Sequence, residues 1–191
     1  INNEPDRAVD VFVKMLEVDS DTVETHLALG ALFRRKGEVN RALRIHQNLI
    51  ARPQLSVEYK NQALAALGED YLRAGVFDRA ESIFLELLDA SVVQARELKF
   101  LLHIYQQEKD WNKAINIAQK LALVEKKSQH LLVSHYYCEL HEACFNASES
   151  KKENYLKKAL SIDPNNIRAL LLRGDVLMSQ ERYLAGLEVF K

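Results

Sequence analysis

The densest group of chemically active side chains is one run that holds two histidines and two cysteines, the residue types that bind zinc. These are His135, Cys138, His141 and Cys144, each three residues after the one before. On a helix each such step rotates the side chain by about −60°, so the four ligands fan across half of the circumference and cannot converge on one ion. At most two neighbours share a metal in this arrangement. We therefore expect buried cysteines and partly exposed histidines, with no metal or other cofactor in this segment.

Other patterns that carry chemistry are missing from the sequence. It has no phosphate-binding glycine loop, no Gly-x-Ser-x-Gly turn, no His-Glu-x-x-His pair and no Cys-x-x-Cys spacing. The formal net charge is −1, which leaves no basic footprint for nucleic acid. The longest apolar runs fall far short of the ~18 to 20 residues that span a bilayer. The sequence therefore predicts a protein that is not an enzyme and that does not bind nucleic acid.

Small residues recur along the chain at a nearly constant spacing. Ala8, Ala42, Ala80 and Ala114 lie in similar surroundings, at steps of 34, 38 and 34 residues, and Gly186 continues the series more weakly. Self-similarity at about 34 residues is the signature of tetratricopeptide repeats. The chain resembles this family throughout its length.

The resemblance implies antiparallel helix pairs that cross closely, because one helix presents a small residue where the backbone of the other approaches. Gly30 and Gly68, each twelve residues before an alanine of the series, are expected at these crossings. Large apolar residues at helical spacing, such as Leu29 and Phe33 against Ile45, would fill the groove between the helices. Only six glycines and three prolines among 191 residues argue against a β-sandwich or barrel. We therefore predict an all-α tetratricopeptide solenoid, which this family builds as a right-handed superhelix of antiparallel helix pairs.

Glycines and capping residues mark the predicted helix boundaries. Gly37 and Gly75 suit positions just past a helix end, and Asn40, Asp78 and Asp110 can cap the helices that follow. The predicted helices are 5–18, 23–36, 40–51, 57–74, 78–89, 93–107, 111–123, 129–145, 150–161, 167–179 and 182–191.

The repeats are predicted to form one array over residues 1–191, in which two repeats are four residues longer than the others. We assign both insertions to longer first helices, one beginning near Ser56 and one near Ser128. The chain opens at Ile1 within a repeat and closes at Lys191 in mid-helix, so we expect a longer protein around it. The predicted divisions are 1–20 (second helix of a truncated repeat), 21–54, 55–92 and 93–127 (repeats), 128–165 (a divergent repeat) and 166–191 (a truncated repeat).

In tetratricopeptide arrays the first helix of each repeat lines a concave face that binds partner chains. Five of the residues that the family alignment places there are arginines or lysines between positions 34 and 99, and they would attract an acidic or extended peptide. The alternative for each one is an ordinary solvated helix face. The predicted partner-binding residues are Glu24, Arg34, Arg35, Glu69, Arg73, Arg96, Lys99, His103, Gln107, Tyr137, His141 and Arg168.

Three segments carry a closer resemblance. Residues 29–47 (LGALFRRKGEVNRALRIHQ), 75–81 (GVFDRAE) and 134–140 (SHYYCEL) are similar to corresponding segments of the lipopolysaccharide assembly protein B (LapB) family of Gram-negative bacteria. The first segment is more specific than a repeat consensus, on the argument that the fold does not require His46 and Gln47. The resemblance covers nearly all of the chain.

That resemblance implies a non-catalytic adaptor that regulates lipopolysaccharide synthesis. Family members are held on the cytoplasmic face of the inner membrane by an N-terminal helix, and they help the membrane protease FtsH to degrade the lipid A deacetylase LpxC. They also carry a C-terminal rubredoxin-like zinc module, which is absent from this segment, as is the anchor. The implied partners are FtsH, LpxC and other inner-membrane regulators, and the segment itself is expected to be soluble. A generic scaffold for another bacterial envelope assembly is the alternative, and a homodimer through apolar helix faces at the ends is left open.

Replacing Ala80 by leucine is expected to overpack a helix crossing and to lower the free energy of unfolding by about 1–3 kcal/mol. Urea or thermal unfolding measures the change. An unchanged midpoint in Ala80→Leu would contradict the register assigned to the repeats.

Overall fold

The computed structural model describes Val11 and residues 22–90, 95–144 and 149–189. Within these ranges the chain is helical and has no strand, so the predicted all-α class is confirmed. All ten helices predicted from residue 23 onward are present, whereas the helix predicted over 5–18 lies outside the described residues apart from Val11. The helices are α1 (Val23–Arg35), α2 (Val39–Ile50), α3 (Val57–Arg73), α4 (Phe77–Ala90), α5 (Ala95–Gln107), α6 (Trp111–Glu125), α7 (His130–Ala143), α8 (Glu149–Ile162), α9 (Ile167–Ser179) and α10 (Tyr183–Glu188).

The chain divides into two compact units between Phe100 and Leu101, inside α5. In the first unit α1 packs on α2 and α3 packs on α4, while α3 also contacts α1 and α2. In the second unit α7 packs on α6 and α8, and α9 packs on α7, α8 and α10. In the pairs that these contacts show, α1, α3, α7 and α9 are the first helices of hairpins, and α2, α4, α8 and α10 are the second helices. The exact repeat boundaries stay a prediction. Of the described helices, none is long and apolar enough to cross a membrane.

Close crossings occur at both predicted glycines of the first unit. A Cβ atom placed on Gly30 would lie 2.3 Å from Nε2 of His46, and one on Gly68 would lie 2.8 Å from Cζ of Phe84. Such distances are shorter than carbon contacts allow, so a larger residue would force the helices apart. Glycine is therefore required here for close approach rather than for backbone flexibility.

The alanines of the series are core residues of these hairpins. Ala42, Ala80 and Ala114 have no exposed surface. Ala42 forms one core cluster with Leu29 and Phe33, and Ile45 packs against it as predicted. The series of small residues thus marks contacts between helices.

Left-handed residues end several of the first helices. Gly37 and Gly75 have φ angles of 83° and 74°, which confirms their predicted positions just past a helix end. Lys109 and Glu181 take φ angles of 58° and 59° after α5 and α9. The chain therefore makes the same left-handed turn after α5 and α9, although the sequence has no glycine at these positions.

Only one of the three N-caps predicted for the second helices is correct. Asp110 precedes α6 and accepts a hydrogen bond from the Lys113 backbone N–H at 3.1 Å. Asn40 and Asp78 instead lie within the first turns of α2 and α4, so the prediction is wrong for both. The cap of α2 is Glu38, because the left-handed glycine turns the chain so sharply that the next residue already takes the cap position.

Only the first of the two insertions lengthens a first helix comparably. It extends α3 to 17 residues from a start next to Ser56, as predicted, and Ser56 caps the helix by accepting from the Tyr59 backbone N–H at 3.3 Å. The second does not lengthen α7 comparably, because that helix begins at His130 and has 14 residues. Ser128 stays outside the helix and accepts from the His130 backbone N–H at 3.3 Å. The prediction of a longer first helix from Ser128 is therefore wrong.

The run of histidines and cysteines contributes to the core of the second unit. Cys138 has no exposed surface and clusters with Ala159 and Ala169. Burial raises the pKa of the Cys138 thiol to about 11. Cys144 is half-buried beyond the end of α7. Within the described ranges no group of three or more histidines, cysteines or acids is placed to hold a metal ion.

The close crossing of α1 and α2 can be tested by adding a methyl group at Gly30. Gly30→Ala should lower the free energy of unfolding by about 1–3 kcal/mol, because the added methyl group meets the His46 ring. Gly186→Ala is the matched control, since the nearest atom to its Cβ would be Met178 Sδ, at 3.4 Å, and helix propensity favours alanine by up to about 1 kcal/mol. Urea unfolding of Gly30→Ala, His46→Ala and Gly30→Ala/His46→Ala measures the coupling, and Gly186→Ala is unfolded alongside them. Strict additivity in the double variant would contradict the contact.

The two thiols should differ in reactivity. At pH 8 a chromogenic disulfide reagent should modify Cys144 and leave native Cys138 unmodified, because a buried thiol with a pKa of about 11 holds almost no thiolate there. The thiolate fraction of Cys138, and with it any residual rate, should increase as the pH rises toward about 11. Cys144→Ser is the control that should abolish the fast phase. Two equally fast thiols in the native chain would contradict the assigned burial.

Candidate partner-binding groove

A groove of about 490 Å³ crosses the first helices of the first unit. From α1 it is lined by Leu27, Ala31 and Arg34, whose spacing of four and three residues places them on one helix face. Helix α3 contributes Glu69, and α5 contributes Arg96. The structure thus brings three of the predicted partner-binding residues, Arg34, Glu69 and Arg96, to one groove.

Contacts at both ends show that α1 and α3 run parallel. The Tyr59 hydroxyl donates to the Glu24 carboxylate where the two helices begin, and this hydrogen bond lowers the pKa of Glu24. Arg34, in the last turn of α1, donates to the Ala66 carbonyl oxygen at 3.1 Å and to Asp70 Oδ1 at 2.7 Å in the C-terminal half of α3. Parallel helices gather their like ends at one edge of the surface.

The charges on these helices are sorted by helix end. Acidic residues in first turns and basic residues in last turns match the helix dipoles, which are positive at the N-terminus and negative at the C-terminus. On α1 and α3 the acidic residues therefore lie at one edge of the surface and the basic residues at the other, whereas the first turn of α5 lies beside the C-terminal half of α3, where Arg96 pairs with Glu69. The acids in first turns are Glu24, Glu58 and Glu97, and the bases in last turns are Arg34, Arg35 and Arg73.

Arg34 is held by carboxylates of α3. Its two terminal nitrogens donate at 2.7 Å to Glu69 Oε2 and at 2.7 Å to Asp70 Oδ1. Glu69 also accepts from Arg96 through its other oxygen. Two carboxylates thus balance two guanidinium groups within the protein. Unlike the sequence interpretation of a cationic groove, the structure leaves neither Arg34 nor Arg96 as an uncompensated cation for an acidic ligand.

The network continues into the core, where sequence reasoning missed it. Asp70 Oδ2 accepts from His46 Nδ1 at 2.5 Å, and neither side chain has exposed surface. The sequence interpretation that the fold does not require His46 is therefore wrong. The His46 ring fills the space over Gly30, and its Nδ1 contacts the buried Asp70. The sequence signal was an aspartate next to Tyr71 on the buried face of α3.

Gln47 has a structural role as well. Its Nε2 donates to the Tyr71 hydroxyl oxygen at 3.0 Å, and that oxygen also accepts from Arg79 Nη1 at 3.1 Å. His46 and Gln47, the two residues that make the closer resemblance more specific than a repeat consensus, therefore both join α2 to α3.

Predicted residues of the second unit do not share one surface. Tyr137 stacks on Tyr155 of α8 with ring centroids 6.4 Å apart, and His141 Nδ1 donates to the Lys152 carbonyl oxygen at 3.0 Å. Both therefore face the second helix of their own hairpin. Arg168 instead pairs with Glu139 and Glu142 of α7. The other predicted residues, Arg35, Arg73, Lys99, His103 and Gln107, have exposed side chains.

Comparison with known proteins identifies the type of repeat and the curated proteins to which this chain is similar. Residues 25–58 match the tetratricopeptide repeat model. Lipopolysaccharide assembly protein B of Escherichia coli strain K12 is 40% identical over 191 residues, which cover 98% of this chain and 49% of that protein. The protein of the same name from Haemophilus influenzae is 38% identical over 199 residues, which cover 100% of this chain and 50% of that protein. The chain thus spans about half the length of the curated relatives it matches.

Solved structures agree on the fold. A crystal structure of MamA protein has a TM-score of 0.58 at 21% identity, with 84% of each chain covered. YrrB, described as a TPR protein with an unusual peptide-binding site, has a TM-score of 0.57 at 15% identity, with 95% of this chain and 89% of YrrB covered. The chain therefore has the fold of tetratricopeptide-repeat proteins and is similar, along nearly its whole length, to about half of lipopolysaccharide assembly protein B.

Proposed function

We propose that this chain is the non-catalytic adaptor region of a protein that regulates lipopolysaccharide assembly by binding other proteins. The observation that carries the proposal is 40% identity over 191 residues to lipopolysaccharide assembly protein B. The groove across α1, α3 and α5 supplies a surface on which a partner segment can bind without any covalent step. In this proposal the chain acts by bringing molecules together.

In its finer form the proposal concerns proteolysis at the cytoplasmic face of the inner membrane. The chain would hold the deacetylase LpxC close to the protease FtsH, so that the supply of lipid A is limited by the turnover of its committing enzyme. Membrane attachment and zinc binding belong, in this proposal, to other parts of the full-length protein. The support is the similarity of residues 29–47, 75–81 and 134–140 to the family, together with the identity over the whole chain.

The groove suits such a role because its shape is fixed before a partner binds. Arg34 links α1 to α3 through Glu69 and Asp70, and Arg96 links α5 to α3 through the same Glu69. A surface whose side chains are already ordered loses less conformational entropy on binding. Arg35 and Arg73 at the basic edge are exposed, so they are positioned to attract acidic groups of a partner.

Charge reversal at the basic edge tests the proposal. The Arg35→Glu/Arg73→Glu variant should bind purified LpxC at least about tenfold more weakly than the unaltered chain, because repulsion replaces attraction. Surface plasmon resonance with the immobilised chain measures the affinity. Lys151→Glu, an exposed reversal on second helix α8, is the matched control and should bind normally.

Turnover in cells provides the second measurement. The full-length protein should restore degradation of LpxC in a bacterial strain that lacks its own copy, and the double reversal should not. If the unaltered chain does not bind LpxC and the full-length protein does not restore turnover, the role in LpxC proteolysis is excluded and a scaffold for another assembly remains.

A further inference from the structure

One carboxylate oxygen in the groove is buried without a hydrogen-bond partner among the described residues. Glu97 lies in the first turn of α5 and lines the groove, yet only 8% of its surface is exposed. Its Oε2 atom is buried and has no hydrogen-bond partner within the part of the chain that the structure describes. The groove therefore contains a built acceptor to which no described group donates.

An unpaired buried carboxylate is unfavourable, because it has lost its hydration without gaining a donor or a cation in return. The positive end of the α5 dipole reduces that penalty but gives Oε2 no hydrogen bond. The guanidinium groups of Arg34 and Arg96 also line the groove, but each is held by a carboxylate of α3. The protein thus keeps a destabilising acid at a position where a ligand would make it favourable.

The charge balance of the groove favours a cation. Arg34 and Arg96 are balanced by Glu69 and Asp70, as the ion pairs show. The remaining charged residues of the lining, Glu58 and Glu97, are both acidic. Because Glu58 is exposed, it would attract a cation toward the groove, whereas the buried Glu97 would hold it.

The rest of the lining selects the kind of cation. Small and apolar side chains, among them Ala31, Ala65, Ala66 and Leu87, form the wall beside the acids. A lysine or arginine can lay its methylene stem along such a wall while its charged group reaches a carboxylate. An inorganic cation would need several oxygen ligands, and the described residues contain no such cluster.

We propose that this groove is a subsite for a lysine or arginine side chain in an extended segment of a partner protein, with Glu97 Oε2 as its acceptor. The proposal rests on the proposed function only in taking the ligand to be a protein. Arg35 and Arg73, in the last turns of α1 and α3, are exposed and would attract an acidic residue of the same segment.

The test uses two peptides that differ in one side chain. Ac-Ser-Ala-Arg-Ala-Ser-amide and its norleucine counterpart are titrated into the isotopically labelled chain, and two-dimensional NMR follows the amide signals of the first turn of α5. The arginine peptide should shift these signals with an affinity at least tenfold higher than that of the norleucine peptide. Glu97→Gln should remove this preference, whereas the matched control Glu86→Gln, an exposed change on second helix α4, should retain it.

Thermal stability separates binding from a merely structural role. Glu97→Gln should raise the unfolding midpoint, because the variant removes a buried unpaired charge. The same variant should lower the affinity for the arginine peptide. Loss of both stability and binding would instead identify Glu97 as a structural residue and overturn the subsite. Equal binding of the arginine peptide by the unaltered chain and by Glu97→Gln would overturn it as well.

The peptide titration and the LpxC binding measurement together distinguish the two proposals. If LpxC does not bind but the arginine peptide depends on Glu97, the role in LpxC proteolysis fails and the subsite stands. If LpxC binds while the arginine and norleucine peptides behave alike, the subsite fails and the adaptor function stands.

Discussion

The first unit depends on one buried carboxylate that joins three helices. Asp70 of α3 accepts from His46 of α2 and from Arg34 of α1, and it has no exposed surface. Loss of either donor would leave part of that charge uncompensated in the core, which is strongly destabilising. Gly30 makes the arrangement possible, because a side chain there would occupy the space of the His46 ring. Close approach and charge pairing are thus one constraint on how the helices cross.

That constraint also shapes the candidate binding surface. The core acid and its neighbour Glu69 take up the positive charges of Arg34 and Arg96, so the middle of the groove is electrically balanced and its walls are ordered. Two charges stay outside that balance: the buried Glu97, whose Oε2 has no hydrogen-bond partner among the described residues, and the exposed Arg73 in the last turn of α3. A surface of this kind recognises a partner by the order of charges along a segment rather than by net charge, which agrees with a chain whose formal charge is only −1.

Local signals predicted well wherever one residue decides the outcome. Gly37 and Gly75 turn the chain at helix ends because glycine adopts positive φ without strain, and Asp110 caps α6 with its own carboxylate. Prediction failed at two helix starts, where a residue with a suitable side chain lies near the cap position but another residue occupies it. Asn40 has the right side chain for a cap but stands two residues too late, within the first turn of α2, and Ser128 bonds to His130 before α7 begins.

Spacing along the chain was sufficient for the repeat, the helices and the small residues at their crossings, because each depends on residues close in sequence or on a regular period. The ionic network was not accessible in that way. His46 and Asp70 are 24 residues apart, and Arg34 and Asp70 are 36 apart, so their pairing arises only when hairpins stack. The isolation of Glu97 likewise depends on which neighbours the folded chain has already paired. Charge balance in a groove is a property of the assembled helices, since it is set by contacts that no local pattern encodes.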